Sequence, residues 1–254
     1  MKKIIFSLLA IVLFALQGHA QGTLTVPTNT YANGPISVPI TASGFNDVGG
    51  FSLRFTLNAA ASSTTVGLDT TGTVLSGSGR YDDLSISVTG NTITVSYTDL
   101  SVSAGFNLNG TTPLIKLALN FTGTPTSVIW DTDINATTFN DQLGNTLSIG
   151  TFNNGIVNTA GGPSITSACT AVSGCENASA TFSATATGTY QWQISSDTLG
   201  TSFSNIAGAT SATYTRSNLS LGDDRKYIQC LVTNGGLTSL SCARRLQVLE
   251  HLIQ

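Results

Sequence analysis

The chain is 254 residues long, 41% hydrophobic and only 9% charged, with a formal net charge of −3. That length allows two ordinary domains with cores of their own, and the alternating runs of apolar residues exclude wholesale disorder. The acidic balance argues against a nucleic-acid partner, which calls for a basic face.

The N-terminus carries Lys2 and Lys3, an uncharged apolar run from Ile4 to Leu16, and then Gln17-Gly18-His19-Ala20 with small residues three back from and at an expected cut. This is the pattern of a signal peptide over residues 1–20, and the run falls short of the roughly 20 apolar residues that span a bilayer. The expectation is a mature chain starting near Gln21, secreted to the periplasm or beyond, without a membrane span. Loss of Lys2 and Lys3 leaves 8 basic against 13 acidic side chains, a charge of −5.

Ile36, Val38 and Ile40 alternate with Ser37, Pro39 and Thr41. Phe51, Leu53, Phe55 and Leu57 then alternate with Ser52, Arg54, Thr56 and Asn58. Period two predicts strands with one buried face. Pro39 lacks a ladder donor and places the first strand at an edge or bulge; the second is expected to be central. Leu84, Ile86 and Val88 lead through Thr89-Gly90-Asn91-Thr92 into Ile93, Val95 and Tyr97, a hairpin signal. Ile115 to Phe121 repeats the alternation, followed by Val128 with Trp130, Leu147 with Ile149, and Ile156. No stretch has helical periodicity of useful length, so the fold class is all-β, an antiparallel sandwich or jelly roll.

At Thr159-Ala160-Gly161-Gly162-Pro163-Ser164 the chemistry changes: all four cysteines follow it, and Trp130 and Trp192 fall one on each side. Gly-Gly-Pro does not continue a ladder. The division is therefore a first module over 22–159, a linker over 160–163 and a second module over 164–250, each with its own alternating set. In the second module the alternating runs are Ala178 to Ala184, Tyr190 to Ile194, Ile228 to Val232, and Leu246 with Val248.

Two resemblances follow from these residues. Ser37-Val38-Pro39-Ile40-Thr41, the run Asn46 to Phe55, and the closing segments Trp130-Asp131, Asp141-Gln142-Leu143-Gly144-Asn145 and Asn153-Asn154-Gly155-Ile156-Val157 resemble cohesin modules. That resemblance implies a jelly roll and a dockerin-like or surface-protein partner; related sandwiches bind polysaccharide. Tyr190-Gln191-Trp192-Gln193, Ala209 to Tyr214 and Cys230 resemble the immunoglobulin-like repeats of bacterial surface proteins, especially of Bacteroidetes. Phe182 stands where a strand-B cysteine is expected, so a ring replaces the cross-core disulfide beside Trp192. Ile228 stands at the tyrosine-corner position, with Tyr227 one place out of register. Four cysteines allow three pairings. The resembling repeats imply Cys175 with Cys242, which leaves Cys169 with Cys230.

Catalytic chemistry finds little to work with. His251 is the sole histidine after residue 20, excluding a histidine triad or a histidine zinc site, and Cys spacing offers no Cys-x-x-Cys pair. Asp131-Thr132-Asp133-Ile134-Asn135 hints at a calcium loop but has Ala136 and Gln142 where an EF-hand needs glycine and a bidentate acid, so turn formation is the expected role. No cofactor and no metal is implied. Tyr31, Tyr81, Phe106 and Phe139 lie outside clear alternation and are the aromatics expected to be available for stacking on sugar. The expectation is a non-catalytic adhesion or binding protein, two β-sandwiches in series, engaging a protein through the outward residues Arg54, Thr56 and Asn58. An extracellular polysaccharide as ligand is the alternative, and an accessory piece of a hydrolase stands behind both.

Overall fold

A computed structural model describes residues 21–57, 66–76, 84–99, 105–133, 135–168 and 170–250. The expected signal peptide, Asn58, Tyr81, Ile134, Cys169 and His251 lie outside the described residues. Among those described, the regular structure is strand apart from one short 3-10 turn at Leu221–Asp223.

The first module opens with β1 (Gly22–Thr25), β2 (Thr28–Tyr31) and the 24-residue β3 (Gly34–Leu57). Next come β4 (Gly67–Asp69), β5 (Leu84–Thr89), β6 (Thr92–Thr98), β7 (Phe106–Asn109) and β8 (Ile115–Phe121). It closes with β9 (Thr126–Trp130), β10 (Thr138–Asp141), β11 (Thr146–Leu147), β12 (Ile149–Asn153) and β13 (Gly155–Thr159). The two strands expected at 36–41 and 51–57 are the two ends of β3, which bends through bulges between Ser43 and Val48 and serves both layers. Its first half pairs with β8, with Pro39 opposite Lys116; its second half lies centrally, between β6 on one side and β10 and β9 on the other. The layers enclose one core around Leu53, Phe55, Val95, Leu117 and Trp130.

The second module comprises β14 (Thr166–Ser167), β15 (Val172–Cys175), β16 (Ala180–Thr185), β17 (Thr189–Ser195) and β18 (Phe203–Asn205). It continues with β19 (Thr213–Arg216), β20 (Tyr227–Asn234), β21 (Leu237–Leu240) and β22 (Arg244–Leu249). The sheet β14-β16-β19 faces the sheet β15-β22-β20-β17-β18, an immunoglobulin-like sandwich in which β15 runs parallel to β22. Phe182 fills the centre with Trp192 and Tyr214, ring centroids 6.3 Å away in both cases. Burying a ring of this size stabilises by about 2–3 kcal/mol, which is how the core closes without a cross-core disulfide. Both cysteine pairings implied by the resemblance are corrected here. Cys175 and Cys230 are free, the first exposed and the second buried opposite Trp192, while Cys242 is disulfide-bonded.

The modules share a packed junction. In β9, β13 and the first half of β20 consecutive residues are buried, so these strands have no solvent face. One side of each serves its own core. The other packs Ile129 with Tyr227 and Ala243, and Ile156 with Leu240 and Cys242. Buried polar groups are matched across the seam. Ser127 Oγ donates to Gln229 Oε1 at 2.6 Å, and Asn154 Nδ2 donates to the Ala243 carbonyl at 3.0 Å. Asn158 takes both backbone groups of Leu240, accepting from its amide at 2.8 Å and donating to its carbonyl at 3.3 Å. Tyr227 explains the missing corner: with Ile228 facing the core, strand alternation turns Tyr227 to the junction, where its hydroxyl donates to the Trp130 carbonyl at 3.4 Å. The stretch 160–163 is a turn, Gly162 N donating to Thr159 O at 3.1 Å.

Two outcomes are expected. Gly200 has φ +66° and a Cβ there would sit 2.5 Å from Ile129 Cδ1, so Gly200→Ala combines a left-handed backbone with a wedge in the seam. Chemical denaturation should show a loss of about 1–3 kcal/mol. Burial pushes the Cys230 thiol up to about 11, so a thiol reagent at neutral pH should modify Cys175 in the native protein and reach Cys230 only on unfolding. Equal native labelling rates at the two positions would contradict this core.

Candidate functional site

Strand register assembles one polar face on the first module. Ser52 lies opposite Ser96 on one side and Thr138 on the other, and Ser96 lies opposite Ser85. A hydroxyl row therefore crosses β5, β6, β3 and β10. Two residues along, Ser87, Thr94 and Arg54 make a second row. All point outward because their strand neighbours Leu53, Phe55, Ile93 and Val95 are buried. The only charge in these rows is Arg54, whose Nε lies 3.4 Å from Oδ2 of the buried Asp131. With the Arg54 side chain 41% exposed, that pair contributes at most about 1 kcal/mol.

The residues expected to bind therefore separate. Arg54 stands on this face. Thr56 does not: it is 1% exposed and its Oγ1 donates to the Leu199 carbonyl at 2.8 Å, beneath the second module. Asn58 lies outside the described residues. The outward row of β3 runs into the junction, which no alternation within the first module announces. The loop that covers Thr56 is built by Asp197, whose Oδ1 accepts the Leu199 amide at 2.9 Å and the Thr201 amide at 3.1 Å, and whose Oδ2 takes the Thr201 hydroxyl. Thr201 in turn accepts Asn91 Nδ2 at 3.3 Å on its carbonyl.

At the far end the face drops into a groove of about 370 Å³ lined by Gly50, Ser52, Ser96, Thr98, Asn140 and Gln142. One wall is the turn from Asp141 to Asn145. Asp141 Oδ1 accepts the amides of Leu143 at 2.9 Å and Asn145 at 2.8 Å, and Oδ2 accepts Asn145 Nδ2 at 2.9 Å. Hydrogen bonds from the Asn145 side chain and amide hold this carboxyl below the usual aspartate range. The turn comes so close that a Cβ on Gly49 would lie 2.8 Å from the Asp141 carbonyl, so Gly49 and the Asp141–Asn145 motif fit one another. Gln142 Nε2 is shielded from water with no hydrogen-bond partner.

Of the aromatics expected to be available for sugar, the three among the described residues are otherwise engaged. Phe139 is fully buried, stacked 4.2 Å from Phe45, because β10 pairs it with Phe51. Phe106 lies edge-on to Tyr97, and the half-buried Tyr31 donates to the Ser37 carbonyl. Asp131 and Asp133 cap successive turns, accepting the amides of Asp133 and Asn135, the turn role expected of them. Sequence reasoning missed Ser127, Asn154 and Asn158; the one signal was that their segments are not alternating but apolar or amide-bearing at consecutive positions.

Residues 161–248 match the family model described as a domain of unknown function, DUF8696. No curated protein matches the chain. Over about half its length the chain is similar to solved cohesin domains. A cohesin of Clostridium acetobutylicum is 18% identical over 56% of this chain and 93% of its own, TM-score 0.43. The sixth cohesin of scaffoldin B from Acetivibrio cellulolyticus, solved with a dockerin, is 15% identical over 55% of this chain and 97% of its own, TM-score 0.41. The tandem immunoglobulin repeats of Dlar align with 91% of this chain and 100% of their own at 10% identity, TM-score 0.30.

The loop over Thr56 titrates in a definite direction. Burial pushes the Asp197 carboxyl upward, but the hydrogen bonds from Thr201, Leu199 and Gly200 outweigh it and leave it below the ordinary aspartate range. A folded value below the unfolded one stabilises at neutral pH, and that contribution disappears as pH falls through the depressed value, below about 4. Asp197→Asn should lower the melting temperature at pH 7 and lose its difference from wild type at low pH. A difference that persists unchanged at pH 3 would refute the assignment.

Proposed function

We propose that the chain is a secreted, non-catalytic recognition protein whose first module engages a protein partner, dockerin-like or another surface protein, through the β5-β6-β3-β10 face. The observation that carries this reading is the face itself: a broad sheet surface of hydroxyls with one tethered charge and no ring, ending in a groove with the unmet Gln142 donor. Such a surface offers many short hydrogen bonds to a partner's backbone and side chains at little entropic cost, since Ser and Thr have few rotamers to lose. It offers nothing on which a sugar ring stacks.

Arg54 is a poor site for the obvious charge reversal, because Glu there would meet Asp131 and disturb the fold. Ser96, at the middle of the first row, is the better probe. A partner isolated with the full chain from extracellular proteins, then purified, should bind Ser96→Arg at least about tenfold more weakly while the melting temperature stays near that of wild type. Equal binding of the partner by Ser96→Arg would overturn this reading, and retention of the wild-type chain on insoluble polysaccharide that Ser96→Arg abolishes would replace it by the carbohydrate one.

A further inference from the structure

A second cleft, of about 400 Å³, opens where the modules meet, and it shares no residue with the face described above. Its walls come from both halves of the chain: Thr132, Thr151 and Phe152 from the first, Thr170, Arg245 and Gln247 from the second. Arg245 is the cation of this lining, and no Asp or Glu is among the described residues that line the cleft. The other arginines mostly have work elsewhere. Arg54 and Arg216 pair with Asp131 and Asp223, and Arg244 lies over the Phe182 ring and donates to the Thr170 carbonyl. Arg245 makes one long hydrogen bond, Nη1 to Thr132 Oγ1 at 3.3 Å, and its Nε is shielded with no acceptor. A guanidinium presents five donors in a planar fork suited to a carboxylate, and a buried donor left unmet favours any acceptor that reaches it.

We propose that this cleft binds a hydroxylated monocarboxylate of monosaccharide size, a hexuronic acid, either free or as a residue of an acidic glycan. One cation matches one carboxylate. The remaining lining, the hydroxyls of Thr151 and Thr170 and the amide of Gln247, is uncharged and suits a hydroxyl-bearing body, with the half-buried Phe152 ring as an apolar wall. Because the walls come from both modules, the site exists only in the docked pair.

The test uses the full chain, titrated by calorimetry with glucuronate, with a short oligogalacturonide, and with glucose and N-acetylglycine for comparison. Glucuronate should bind, glucose should not, and Arg245→Gln should weaken glucuronate by at least about tenfold. Gln247→Leu, at an exposed strand position, should weaken it by about threefold and keeps the test decisive if Arg245→Gln fails to fold. Tighter binding of the oligogalacturonide than of the monomer assigns the ligand to a glycan; equal binding assigns it to the free acid. N-acetylglycine binding as well as glucuronate, no heat with either uronate, or full binding by both variants overturns the proposal. None of these results bears on partner binding at Ser96, so the two readings stand or fall separately.

Discussion

The arrangement of this protein depends on three strands that have no face toward water. A strand in a solvated sandwich hides one side and wets the other, but β9, β13 and the first half of β20 bury successive residues. Their second side is satisfied only by the other module. Apolar contact at Ile129 and Ile156 supplies the non-directional part of the adhesion. The amides of Asn154 and Asn158 and the Ser127–Gln229 pair supply the directional part, since each is a buried polar group whose partner lies mainly across the seam. A slip of one residue in either module would leave those groups unpaired at a cost of about 1–3 kcal/mol each. The seam therefore sets orientation as well as proximity, and a freely swivelling pair of beads is the wrong picture of the chain.

That fixed orientation determines which surfaces remain to do anything. The second module covers Thr56 with the Leu199 loop and so shortens the polar face of the first at one end, while the Asp141 turn bounds it at the other. Between those limits lies a surface of hydroxyls, and beside the seam lies a cleft whose arginine makes one long hydrogen bond. The two differ in physical character as they do in place. One is broad and nearly uncharged, a surface for many weak contacts; the other is concave with a single concentrated charge, a place for one strong contact.

Several sequence signals correspond to definite physical devices. The Asp141-Gln142-Leu143-Gly144-Asn145 segment, which carries part of the resemblance to cohesins, is a self-bonded turn in which one carboxylate gathers three donors. Phe182 in place of a cysteine packs against Trp192 and Tyr214, so a ring takes over the space-filling role of a bridge. Cysteine pairing was not legible in the same way. Pairing depends on the distance and direction between side chains on different sheets, and the positions that looked matched by resemblance leave Cys175 at the surface and Cys230 inside the core.

By itself the sequence determined the all-β class, the strands from Ile36 to Val248 that alternate strictly, the hairpin at Gly90-Asn91 and the placing of Trp130 and Trp192 in separate cores. Those features follow from period-two burial and turn chemistry, which act over a few neighbouring residues. Only the tertiary structure decided that β3 is one bent strand shared by two layers, that Phe139 is buried, that Thr56 lies beneath a loop 143 positions away, and that Tyr227 turns to the junction instead of to a corner. Each of these is a choice of which side of a strand meets which other strand. Period two states that two sides exist; what covers the second side depends on contacts between residues far apart in the chain, and no local pattern encodes them.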